Sequence, residues 1–414
     1  MNFFRTSLLS FVATVIKMLA MLAVNKAVSV AIGPSGVAII GQFQNVIQIS
    51  MTVAQGGVNT GVTKYIAEYN KSDSDIRFFI CAAFYISLFC TMLVSLALIF
   101  FSGYISEYIL NDDTFSYVFV LFGGTIFLYV GNQLFLSIYN GLKEINSFVF
   151  INIVQSVFSL FYTTTLVFLY GVDGALISLV TNQSIVFLIA LYHSRNHGFL
   201  RLSALSNGVR FVDFKRLLKY SVMTITTAIV VPVSHIFVRN HIAAVVGNDE
   251  AGYWQAIWYI SMMYLMVVTT TLSIYYLPRL SELVEKKDVR KELFLGYKVL
   301  IPIVSFGALA IYMMRDFIIL LLFSDQFLPM RTLFAWQLMG DVVKIAGWLL
   351  AYIMLAKAMM KLFVVTEVLF SVLFVILSYT FLDIYGLVGV TYAFFTNYLI
   401  YFFVMLACMR RELS

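Results

Sequence analysis

The chain has 414 residues, of which 61% are hydrophobic and 12% charged, with a formal net charge of +6 and a mean hydropathy of +0.92. A water-soluble domain carries about a quarter charged residues, so a soluble globular fold is excluded. With 16% aromatics, including 39 Phe, the apolar surface exceeds what one interior can hide, and a bilayer is the solvent it requires.

Apolar stretches of about 20 residues recur along the chain, separated by short loops, which is the pattern of membrane helices and not of an alternating barrel. The first, 7–30, follows Arg5 and could suit a signal peptide. Lys17 interrupts it and more spans follow, so it is expected to be the first helix. An ionisable residue at the centre of a membrane helix costs about 2.5–3.5 kcal/mol and asks for a reason. Lys17 is expected to face a cavity or to pair with a carboxylate, whereas Lys26, nearer the helix end, either snorkels or acts in transport. The two lie half a turn out of phase, so a straight helix cannot point both into one cavity.

The next stretches, 37–61, 78–102, 117–140, 147–170 and 174–194, complete a set of six, and 195–216 reads as a linker. Cys81, Cys90 and Cys408 lie in apolar runs without metal or redox spacing and read as buried thiols. The seventh stretch, 217–241, carries Pro232, which loosens a helix, then His235 and Arg239 on one face. Arg239 is either a cavity cation or an interfacial one, and His235 a proton site or a packing residue. Stretches 251–277 and 294–314 follow. In 333–356, Asp341 and Lys344 are three apart and close enough to pair, either as a structural salt bridge or as a coupling element. Glu367 lies in 362–384, within reach of Lys361 or Lys357, and reads equally as a snorkelling residue or a proton-coupling one; 387–409 ends the series.

The expected fold is therefore an all-α integral membrane protein of about twelve transmembrane helices. An internal repeat divides it. Tyr170-Gly171-Val172-Asp173-Gly174 matches Tyr385-Gly386-Leu387-Val388-Gly389 at an offset of 215, and nine of 26 positions from Tyr170 and Tyr385 onward are identical. Composition alone would give roughly two. Six spans per half make the repeats parallel, with lobes 1–194 and 217–414 about a central cavity that rocking would open to either side.

Charge gives the orientation. Of 27 Lys and Arg, 21 fall in alternate loops on one side, among them Lys64, Arg77, Lys215, Arg216, Lys286, Lys287 and Arg410. The positive-inside rule then places both termini in the cytoplasm, and a nucleic-acid partner is not implied. The candidate pathway residues Lys17, Lys26, Arg239, Lys344, Asp341 and Glu367 carry a net excess of two positive charges, which suits an anionic cargo.

The Gly-Lys dipeptide of a phosphate-binding loop does not occur, so an ion gradient or potential is the expected energy source. The four His residues form no metal-binding pattern and no catalytic motif stands out, so neither a metal, a cofactor nor an enzyme is expected. A membrane polymerase would need a substantial extracytoplasmic loop, which the spacing leaves no room for.

Three stretches carry a resemblance: Gly61-Val62-Thr63-Lys64-Tyr65-Ile66-Ala67-Glu68-Tyr69, Tyr276-Leu277-Pro278-Arg279-Leu280-Ser281-Glu282-Leu283, and Phe334-Ala335-Trp336-Gln337-Leu338-Met339-Gly340-Asp341-Val342-Val343-Lys344. They resemble the Wzx-type polysaccharide flippases, those of enterobacterial common antigen lipid III first and the O-antigen flippases next. The resemblance implies the multidrug/oligosaccharidyl-lipid/polysaccharide exporter fold in a Gram-negative inner membrane. It implies an undecaprenyl-pyrophosphate-linked glycan as cargo, with a polymerase and a chain-length regulator of lipopolysaccharide-type polymers as partners. A multidrug or small-solute antiporter of the same fold is the alternative.

Overall fold

A computed structural model describes residues 3–68, 73–110, 112–142, 144–195, 211–276, 279–280, 283, 285–357 and 359–413. Of the expected linker, 196–210 lie outside the described residues, as do Lys71, Lys143, His197, Arg201 and Arg210 and, in the quoted motifs, Tyr69, Leu277, Pro278, Ser281 and Glu282.

The described elements are helical. They are α1 (Phe3–Ala54), α2 (Asn59–Glu68), α3 (Asp73–Phe100), α4 (Ser102–Leu110), α5 (Ser116–Gly141), α6 (Ile145–Ser194), α7 (Phe211–Val245), α8 (Asn248–Thr271), α9 (Lys286–Met313), α10 (Arg315–Leu322), α11 (Phe334–Ala356), α12 (Met360–Tyr385) and α13 (Leu387–Leu413). The second expected span stops early, at Ala54, where Gly56 and Gly57 turn the chain into the short α2.

Among the described residues nine helices are long and apolar enough to cross a membrane, against the twelve expected. Two of the nine are long enough to cross twice. Val15–Ala54 and Asn146–Ser194 hold 40 and 49 residues, about 60 and 74 Å of helix against about 30 Å of hydrocarbon. Each is broken once, at Gly33 (φ 67°, ψ −171°) and Gly171 (φ 58°, ψ −127°). Gly386, between α12 and α13, has the same conformation (φ 65°, ψ −155°), which only glycine adopts without strain.

The repeat seen in the sequence is present in the backbone. A Cβ on Gly174 would lie 1.9 Å from the Leu166 carbonyl oxygen, and one on Gly389 2.0 Å from that of Phe381. Glycine at these positions lets each helix start press against the end of the one before it. Asn182 and Asn397, a further matched pair, each keep a buried Oδ1 without a hydrogen-bond partner.

The chain packs as two compact units, Met1–Ile32 with Ile39–Pro232, and Gly33–Ala38 with Val233–Ser414. In the first, Val58, Val62 and Ile66 pack on Phe79 and Ile80 of α3 and on Leu134 and Ile138 of α5. Ser95 Oγ donates to the Gly123 carbonyl at 2.7 Å, tying α3 to α5. In the second, Gly340 and Gly347 of α11 seat the rings of Phe394 and Tyr401 of α13: a Cβ would stand 2.4 and 2.7 Å from them. Gly252 similarly lies on the Pro34 carbonyl, and the Ser35 N–H donates to Asp249 Oδ1 at 3.1 Å.

Large apolar side chains also point outward: Phe100 is 77% exposed, Phe306 73% and Met313 71%. Surfaces of this kind are stable against lipid and not against water.

Candidate functional site

The second unit holds a buried polar cluster inside its apolar core. Residues 337, 341, 344 and 348 of α11 recur at helical spacing, so Gln337, Asp341, Lys344 and Trp348 share one face. Asp341 and Gln337 are fully buried, and Lys344 nearly so. Opposite them, α8 presents Trp254, Trp258, Ser261 and Tyr264 at the same spacing.

Asp341 and Lys344 do not close into a contact ion pair within 4 Å, where the sequence spacing allows one. Asp341 Oδ2 instead accepts from Ser261 Oγ at 2.7 Å and Tyr264 OH at 3.0 Å. Lys344 Nζ lies among aromatic faces: Trp348 at 4.9 Å, Trp258 at 5.2 Å, Tyr398 at 5.4 Å and Phe394 at 5.8 Å to the ring centroids. Each such contact contributes about 0.5–2 kcal/mol. Together they offset the cost of about 2.5–3.5 kcal/mol for a cation at this depth. Each member of the pair thus has its own partners, hydroxyl donors of α8 for Asp341 and ring faces of α8, α11 and α13 for Lys344.

Two acceptors in the cluster are unused. Asp341 Oδ1 and Gln337 Oε1 are buried without a partner, while Gln337 Nε2 donates to Ser261 Oγ at 3.3 Å. A buried acceptor left bare costs about 1–3 kcal/mol, so these two oxygens are hydrogen-bonding capacity the cluster can still use.

Beyond Pro232, α7 adds two residues. Arg239 is buried, donates to Gln255 Oε1 and stands 5.4 Å from the Trp254 ring centroid. His235 is enclosed by Trp258, Trp254 and Phe374, with centroids 4.4, 5.6 and 6.3 Å away. Glu367 of α12 is half-buried and lies within electrostatic reach of Lys344. It does not take Lys357, whose ammonium donates to the Leu283 carbonyl. Arg239, Asp341, Lys344 and Glu367 thus belong to one unit. Lys17 and Lys26 belong to the other unit, Lys17 exposed and Lys26 half-buried, on α1 before its break.

The first unit has a cavity of about 350 Å³ between α1, α5 and α6. Its polar lining is Gln44, Gln48 and Thr52 of α1, Gln55 in the turn that follows it, and Tyr129 and Gln133 of α5, and no lining residue carries a charge. Gln133 Nε2 donates to Gln183 Oε1 at 2.6 Å, and Gln55 Oε1 accepts from Asn59 Nδ2 at 2.7 Å. The sequence reading passed over these residues by searching for ionisable groups. The signal was nonetheless there: Gln44, Gln48 and Gln55 fall on one helical stripe of an apolar segment.

Comparison with known proteins places this architecture. Residues 3–284 match the family described as polysaccharide biosynthesis protein. The chain belongs to this family. Over 406 residues, 97% of each chain, this polysaccharide biosynthesis protein is 29% identical to the lipid III flippase of Escherichia coli (strain K12). Its fold is that of a multidrug resistance MATE family transporter of the MOP superfamily in its inward-facing conformation, with a TM-score of 0.78 at 15% identity over 96% of this chain and 94% of that one. The lipid II flippase MurJ, inward closed, superposes with a TM-score of 0.72 at 13% identity over 98% of this chain and 87% of that one. The fold expected from the sequence, a helical membrane protein with the exporter fold, is therefore present. The chain is a multi-pass membrane protein.

Proposed function

We propose that this chain is a flippase that moves an undecaprenyl-pyrophosphate-linked oligosaccharide repeat unit from the cytoplasmic to the periplasmic leaflet. The observation that carries the reading is the full-length similarity to a lipid III flippase, spanning 97% of both chains. The site chemistry agrees with it. Buried Arg239 and Lys344 supply cations to an anionic head group, and the reading adds Lys17 and Lys26 of the first unit to the same path.

On this reading the breaks at Gly33 and Gly171 divide α1 and α6 into two crossings each, and α8, 24 residues long, adds the crossing that makes twelve, in lobes 1–194 and 217–414 joined by 195–216. The termini are cytoplasmic, the membrane is a Gram-negative inner membrane, and the two lobes alternate access. No nucleotide is hydrolysed; a transmembrane ion gradient or potential drives the cycle. Asp341 Oδ1, buried and unpartnered, is the acceptor the cluster offers to a proton or small cation, with Glu367 as a second carboxylate. The delivered unit, an O-antigen unit or the common-antigen lipid III, would pass to a polymerase and a chain-length regulator.

Complementation tests the reading. Expressed in strains lacking individual polysaccharide flippases, the chain is expected to restore surface polysaccharide in at least one. Failure in every such strain, with the protein present in the membrane, overturns it.

A further inference from the structure

The amide-lined cavity of the first unit has no part in the charge chemistry of the second. Gln44 and Gln48 of α1, Gln55 just beyond it and Gln133 of α5 set four amides among apolar segments, where an amide needs a hydrogen-bond partner to offset its desolvation. The lining holds no charged side chain that would bind a pyrophosphate. The cavity's volume of about 350 Å³ falls within the usual range for small-molecule pockets.

The lining chemistry selects a class of ligand. A side-chain amide both donates and accepts. An anion calls for donors only and a metal cation for acceptors only. A sugar offers hydroxyl and N-acetyl groups that also do both. Tyr129 adds an aromatic ring, suited to the C–H face of a pyranose. The hydrogen bonds of Gln133 to Gln183 and of Gln55 to Asn59 fix two of the amides in advance, which lowers the entropy lost on binding.

We propose that the cavity between α1, α5 and α6, lined by Gln44, Gln48, Gln55, Gln133 and Tyr129, is the binding site for the uncharged sugar portion of the cargo. This assignment rests on the flippase reading. It divides recognition by chemistry, with neutral amides for the glycan and cationic side chains for the head group.

The test uses full-length protein in proteoliposomes with two lipids, undecaprenyl pyrophosphate bearing an N-acetylated disaccharide and undecaprenyl pyrophosphate alone. Translocation rates are compared for wild type, Gln48→Leu and Gln133→Leu. Gln48 is exposed and its replacement leaves the core untouched, so it carries the test if the Gln133 variant does not fold. The ratio of the glycosylated to the bare rate is expected to fall at least tenfold in the variants. An unchanged ratio, whether both rates persist or both fall together, overturns the assignment and leaves the flippase reading standing. Wild-type protein that moves neither lipid overturns the flippase reading and this assignment with it.

Discussion

Trp258 and Lys344 meet at 5.2 Å between ring centroid and ammonium, while Ser261, one turn along α8 from Trp258, donates to Asp341 at 2.7 Å. One face of α8 therefore serves both members of the charge pair on α11, which form no contact ion pair. A pair whose charges stay separate can respond to a ligand or an ion, whereas a closed ion pair is mainly a structural element.

Lys344→Met is expected to remain in the membrane at wild-type abundance and to lose at least tenfold in transport. Methionine keeps the volume and removes the charge, so immunoblotting of membranes beside an assay of surface polysaccharide separates folding from function. Undiminished transport would make Lys344 a packing residue.

Asp341→Asn preserves shape and keeps an acceptor for Ser261 and Tyr264 while removing the charge. It is expected to abolish the dependence of transport on the ion gradient, read as equal rates with and without an imposed gradient in proteoliposomes. Asp341→Leu strands both hydroxyls as well, and each stranded group costs about 1–3 kcal/mol, so its melting temperature in detergent falls below that of Asp341→Asn.

Trp258→Ala removes a ring that packs on Lys344, His235 and Phe394. The expected loss is about 3–5 kcal/mol, seen as reduced yield and melting temperature. Trp258→Phe keeps a ring face and recovers most of it.

The repeat makes its own prediction. Gly174→Ala and Gly389→Ala each place a methyl within 2.0 Å of a backbone carbonyl oxygen and are expected to destabilise the protein to a similar degree, by about 1–3 kcal/mol or more. Gly124→Ala meets nothing within 4 Å and serves as the control, with a melting temperature close to wild type.

The sequence carried the fold because its largest signals are additive ones. Long apolar runs, loop charges and the match of Tyr170-Gly171 with Tyr385-Gly386 all survive without knowledge of tertiary contacts. The positive-φ break at Gly171 was legible in that motif. The break at Gly33 fell where the reading set a loop, at 31–36. The site was legible in part. Insertion cost picked out Arg239, Asp341, Lys344 and Glu367, which one unit does bring together. Their partners were not legible, because Ser261, Tyr264 and Trp258 on α8 meet Asp341 and Lys344 only after folding across about 80 residues of sequence. The expected Asp341–Lys344 contact followed from helical spacing alone, which knows nothing of the rings and hydroxyls that outbid it. The glutamine stripe escaped because a neutral amide leaves no trace in a charge-based search.

The most direct measurement is leaflet translocation of a fluorescent undecaprenyl-pyrophosphate-linked disaccharide in proteoliposomes holding the wild-type chain or Lys344→Met. The account predicts gradient-dependent movement by the wild type, at least tenfold slower in the variant. It is contradicted if wild-type protein leaves the lipid in its original leaflet while transporting a soluble organic cation.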